Sequence, residues 1–140
     1  MNKNGPVVIL EDDEDDQQLF IEIFNNLKYE NEIIFFKDGN EALEYLNRIE
    51  ITPFLILSDI NLHKVDGLAL RDKIQTSHLL HLKCTPYLFF TTTIPKTYVI
   101  EAYSTSVQGF FQKPNSYAHL ESTIKKIVEY WKECFVPDEC

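Results

Sequence analysis

Pro6-Val7-Val8-Ile9-Leu10-Glu11-Asp12-Asp13-Glu14-Asp15-Asp16 is a brief apolar run that stops abruptly in acid. A run this short, bounded by charge, predicts a buried strand emptying into an acidic loop. Working outward, the same form recurs. Ile33–Phe36 is a second apolar run; Phe54-Leu55-Ile56-Leu57 ends at Ser58-Asp59; Tyr87-Leu88-Phe89-Phe90 ends at Thr91-Thr92-Thr93; Gly109–Gln112 is closed by Lys113-Pro114. Between the runs the period changes to that of a helix. Leu19, Ile23 and Leu27, joined by Phe20 and Phe24, form one stripe, and Ala42, Leu43 and Leu46 form another behind the capping sequence Asp38-Gly39-Asn40-Glu41. Asp66-Gly67 opens a turn before a helix from Leu68 to about Gln75. Pro95 suits the first turn of a fourth helix packed through Tyr98, Ala102 and Ile100. Ser116 caps a last helix carrying Leu120, Ile124, Ile127, Val128 and Trp131. Five strands alternating with five helices predict an α/β fold on a parallel sheet.

The 140 residues predict one domain, over 6–132, with a C-terminal tail at 133–140. A composition of 44% hydrophobic and 25% charged residues is that of a globular chain and excludes disorder. The net charge of -9 disfavours direct contact with nucleic acid or an anionic membrane. The cysteines Cys84, Cys134 and Cys140 form no CxxC pair, which suits packing residues in a reducing compartment. With no leader and no spanning apolar run, the expected location is cytoplasmic.

Parallel strands deliver the residues at their carboxyl ends to one edge, where ligands of such sheets bind. Glu11 and Asp12, Asp59, Thr91 and Lys113 therefore become expected neighbours: three carboxylates, a hydroxyl and an ammonium. Carboxylates drawn together repel, and a hard divalent cation such as Mg²⁺ relieves the repulsion. With the metal present, Asp59 can stay an anionic nucleophile toward phosphorus while the charge on the transferring oxygens is shared with Lys113. Asp13 through Asp16 are read as helix-capping or surface residues.

The segments ILEDD (9–13), LILSDINLHKVDG (55–67), PYLFFTTT (86–93) and GFFQKP (109–114), in this order, resemble the receiver domain of two-component response regulators over about residues 6–132. The resemblance implies a doubly wound, flavodoxin-like (βα)5 fold with strand order 2-1-3-4-5, in a stand-alone, single-domain form. It makes Asp59 the phosphoacceptor, Asp12 a direct Mg²⁺ ligand, Glu11 a ligand through water, and Asn61 a ligand through its backbone carbonyl. It makes Thr91 the hydroxyl that follows phosphorylation, Lys113 the phosphate-binding lysine, and Phe110 the aromatic that turns with Thr91. The Lys113-Pro114 bond is commonly cis in that family.

The implied partners are a sensor histidine kinase or histidine-phosphotransfer protein and a downstream protein target. The implied oligomeric state is a monomer or an activation-dependent homodimer. The implied chemistry is self-directed phosphotransfer and dephosphorylation rather than that of a conventional enzyme. Three places depart from the family pattern: His63 replaces a usual proline, Val65 a common methionine, and Ser106-Val107 the usual Gly-Ala. They motivate the alternative of a receiver-like binding module that signals without phosphorylation. His63, His78 and His81 are read as loop or surface residues.

Overall fold

The computed structural model describes residues 2–48, 50, 52–60, 67–76, 84–92 and 96–135. Its strands are β1 (Val7–Leu10), β2 (Ile33–Phe36), β3 (Leu55–Ser58), β4 (Tyr87–Thr91) and β5 (Gly109–Gln112). The helices are α1 (Glu14–Asn26), α2 (Gly39–Arg48), α3 (Gly67–Gln75), α4 (Lys96–Ser104) and α5 (Tyr117–Glu133). All four strand pairings are parallel, in the order β2-β1-β3-β4-β5. This is the doubly wound (βα)5 architecture. Every residue of β1, β3 and β4 is buried, whereas those of β2 and β5 are only partly so and Gln112 is exposed. The difference follows from position: central strands are covered on both faces and flanks, and edge strands are not.

Alternation along the strands divides the core in two. Val7, Ile9, Leu55, Leu57, Leu88 and Phe90 face α1 and α5, meeting Phe20, Ile23, Phe24, Ile124 and Val128. Val8, Leu10, Ile56, Tyr87 and Phe89 face the other way and meet Ala42, Leu46, Leu70, Ile74 and Ala102 from α2, α3 and α4. Trp131 packs partly buried against the first layer. Ile100 does not pack as its spacing suggested; it is 72% exposed. Helix α4 touches the core through Ala102, so its apolar residues exceed the width of the face it buries.

Helix starts follow the capping residues. The Asp13 carboxylate accepts from the amides of Asp15 and Asp16, at 2.8 and 3.3 Å. Asp38 accepts from Glu41 N at 3.0 Å, and Ser116 from His119 N at 3.2 Å. Two non-glycine residues, Lys28 (φ 59°) and Ser106 (φ 57°), turn the chain through the left-handed region after α1 and α4. Arg71 on α3 closes the second turn from outside: Nε donates to Thr105 O at 3.0 Å and Nη2 to Ser106 O at 2.7 Å. Its guanidinium lies 5.5 Å from the centre of the Tyr87 ring. Burial lowers the pKa of this arginine, which no carboxylate partners among the described residues. Val107 is buried beside Ala102, so its extra bulk goes into the core rather than onto the outer face of α4.

One expectation is corrected. The Lys113-Pro114 bond is trans, the isomer that X-Pro bonds favour by about 0.5–1 kcal/mol. Cys134 is a free, partly buried thiol packed against the core, and Cys140 lies outside the described residues. Asn61, His63, Val65, Asp66, His78, His81 and Pro95 lie outside the described residues.

Candidate functional site

The backbone ladders run one residue past the strand ends and fix the site residues there. Glu11 N donates to Phe36 O at 3.0 Å, Asp59 N to Leu10 O at 3.0 Å, and Lys113 N to Thr91 O at 2.8 Å. Each chemically active side chain therefore springs from backbone held by a neighbouring strand. Gly67 brings α3 back against this edge. A Cβ at that position would stand 2.3 Å from Asp59 O and 2.7 Å from Ser58 Oγ, so glycine is required by close approach. Gly67 N donates to Ile60 O at 3.1 Å, and the Ser58 hydroxyl to Asp59 O at 2.8 Å.

Asp59 divides its two oxygens between two strands. Oδ1 accepts from the Thr91 hydroxyl at 3.0 Å, and Oδ2 lies 3.3 Å from Lys113 Nζ. The same ammonium binds Glu11 Oε2 in a short contact and Asp16 Oδ2 at 3.3 Å. The Glu11, Asp59 and Lys113 side chains are 3%, 11% and 9% exposed, so these charges interact with little screening by water. Burial pushes the Glu11 pKa up, and Lys113 and the Asp13 amide only partly offset it. For Lys113 burial works against the charge, but Glu11, Asp59 and Asp16 outweigh it and raise the pKa. The lysine is held charged by its carboxylates.

The expected neighbours Glu11, Asp59, Thr91 and Lys113 are thus brought together. Asp12 is half-buried, and its carboxylate has no hydrogen-bond or ion-pair partner among the described residues. Phe110 is partly buried on the α2–α4 side, its ring 5.7 Å from that of Phe89. Asp16 was missed. Read as a capping or surface acid, it instead reaches Lys113 from the first turn of α1. A local signal existed, since it sits one turn into a helix that begins directly beyond Glu11. Gln17 was missed as well; its Nε2 donates to Glu11 O at 2.7 Å.

Metal fit can be judged from the donors. Among the described residues no three acidic, histidine or cysteine side chains are gathered tightly enough to cage an ion. Mg²⁺ does not need a cage: it binds through one or two carboxylates and keeps its waters. Three carboxylates share one ammonium while Asp12 stands unpartnered beside them, leaving an excess of negative charge with oxygen donors only. Such a set fits a hard dication.

A family model, the response regulator receiver domain, matches residues 7–125. The chain belongs to this family. Among receiver relatives it is 31% identical to the probable methanogenesis regulatory protein FilR2 of Methanothrix harundinacea, over 89% of this chain and 82% of that protein. It is 30% identical to the response regulator Rcp1 of Synechocystis, over 93% of this chain and 92% of the relative. The phosphorylated cyanobacterial phytochrome response regulator RcpA superposes with a TM-score of 0.85 at 27% identity, covering 95% of this chain and 98% of the other. The Mn²⁺-bound form of Rcp1 superposes with a TM-score of 0.80 at 27% identity, covering 94% and 99%. Among the described residues no helix is long and apolar enough to cross a membrane.

Proposed function

We propose that this receiver accepts a phosphoryl group on Asp59 from a histidine kinase or histidine-phosphotransfer protein. The observation that carries the reading is the division of the Asp59 carboxylate between Thr91 and Lys113 at the carboxyl edge of the sheet. An Asp59 oxygen bonds to phosphorus as the phosphorus–nitrogen bond of the donor phosphohistidine breaks, and the imidazole leaves with the electron pair. Lys113 is placed to neutralise charge on the transferring oxygens, and the Thr91 hydroxyl to donate to one of them. Hydrolysis of the resulting acyl phosphate returns the carboxylate and inorganic phosphate.

Asp12, Asp59 and the backbone carbonyl of Asn61 would hold Mg²⁺, with Glu11 reaching it through water. Bound there, the metal supplies charge neutralisation for the phosphoryl oxygens. The phosphorylated RcpA and Mn²⁺-bound Rcp1 structures support this reading by likeness. Movement of Thr91 toward the phosphoryl group frees the space beside Phe89 into which the Phe110 ring turns. The outer surface around α4 then reports phosphorylation to a protein target in the cytoplasm, without direct DNA or membrane contact, by a monomer or an activation-dependent homodimer.

The test is incubation with Mg²⁺ and a small acyl-phosphate donor, followed by intact-mass measurement. The expected result is the mass of a single phosphoryl group, absent in Asp59→Ala and without added metal. Equal modification of Asp59→Ala, or none of the native chain at saturating donor, defeats the proposal.

A further inference from the structure

At the opposite end of the strands, three segments remote in sequence each bring a lysine to one cavity of about 400 Å³. Lys3 comes from the turn before β1, Lys28 from the left-handed exit of α1, and Lys132 from the last turn of α5; Asn4, Glu30 and Asn31 complete the lining. The walls are pinned. Asn31 Nδ2 donates to Lys3 O at 3.0 Å and Gly5 O at 2.7 Å. Lys28 N donates to Asn25 O and Tyr29 N to Phe24 O, both at 3.1 Å. Lys132 Nζ is held 4.5 Å from the centre of the Tyr29 ring, a cation–π contact that leaves its N–H donors uncommitted to any carboxylate.

Among the described residues, ion pairs are made by Lys37 and Lys113, and none by these three lysines. Complementing a helix dipole accounts for Lys132, which lies in a last turn, and in part for Lys28. It does not account for Lys3, nor for three lysines lining one concavity with Glu30 as the single acid of that lining. With Glu30 counted, the lining keeps an excess of two positive charges. That excess matches a phosphate dianion, and lysine ammonium groups bind phosphate oxygens as point charges.

We propose that this cavity binds a small phosphate-bearing dianion, at a site separate from Asp59. The ligand sits between the N-terminal turn, the α1–β2 connection and the end of α5, and ties the three together. Because it binds only the folded chain, it also raises stability.

The test is an amide NMR titration of the full chain with sodium phosphate, against sodium chloride at matched ionic strength. Saturating shifts are expected at Lys3, Lys28, Asn31 and Lys132 with phosphate and not with chloride. Binding weakens about tenfold in Lys28→Gly and disappears in the combined Lys3→Ala, Lys28→Gly and Lys132→Ala variant. Glycine relieves the left-handed backbone at position 28, so Lys28→Gly loses affinity while its unfolding midpoint rises. Loss of fold would lower the midpoint along with the affinity. A parallel arm uses glycerol phosphate: equal affinity identifies the phosphate group alone as the ligand, and tighter binding places an organic group in the cavity as well. Unsaturable shifts equal to those of chloride, a response unchanged in the combined variant, or saturation centred on Lys113 overturns the proposal.

Discussion

The two ends of the sheet handle charge in opposite ways. At the carboxyl edge one buried lysine serves three carboxylates; at the other edge three lysines border one cavity and form no ion pair among the described residues. The first arrangement is tied into neighbouring strands by backbone bonds, so its geometry is set by the fold. The second hangs from turns and helix ends. Burial is what separates them: a charge held away from water must keep its partner, whereas a wetted one can wait for a ligand.

The strongest way to break that contrast is Lys113→Met. It leaves Glu11 buried without its ammonium and is expected to destabilise the fold by about 3 kcal/mol, read by urea unfolding. A loss below about 0.5 kcal/mol, the range of an ordinary surface change, would mean that the carboxyl edge is as loosely coupled as the lysine end. Adding Glu11→Gln to that variant removes the stranded charge. The double-mutant cycle is then expected to show a coupling above about 1 kcal/mol between Glu11 and Lys113, and additivity would refute the shared-charge description.

At the opposite end Lys28→Gly is expected to gain about 1 kcal/mol, because a side chain in the left-handed region is strained and glycine is not. A fall in the thermal midpoint would show that the Lys28 side chain contributes to the fold. The smallest effect is that of Lys3→Ala, expected within about 0.5 kcal/mol in the same unfolding assay. A larger loss would bring the two ends closer together in kind.

The apolar runs made the sheet legible because each is short and bounded by charge, proline or glycine, and the βαβ rhythm then determined which ends converge. Glu11, Asp59, Thr91 and Lys113 were readable for the same reason: parallel strands turn distant positions into neighbours. Asp16 was not readable from the strand rule, since it arrives from a helix, and its acidic neighbours look alike in sequence. Arg71 was hidden differently. A charged residue beside Leu70 on an inward helical face breaks the apolar pattern, and the carbonyls of Thr105 and Ser106 together with the Tyr87 ring explain its burial. Those carbonyls are exposed to it by the left-handed turn at Ser106, which a non-glycine residue does not announce. Ile100 shows the converse error, an apolar residue at helical spacing on a face that none of the described residues covers.

The consecutive rings of Phe110 and Phe111 lie beside Phe89 and Phe90 and enter opposite layers of the core. Lys113 follows two residues later, its amide already bonded to Thr91. A one-residue slip of β5 against β4 would exchange the faces of both rings and carry the ammonium about 3.3 Å along the strand, away from Asp59. The two rings thus act as a ratchet for the lysine, and the connection at residues 105–108 must take up any change in its own length without moving the strand.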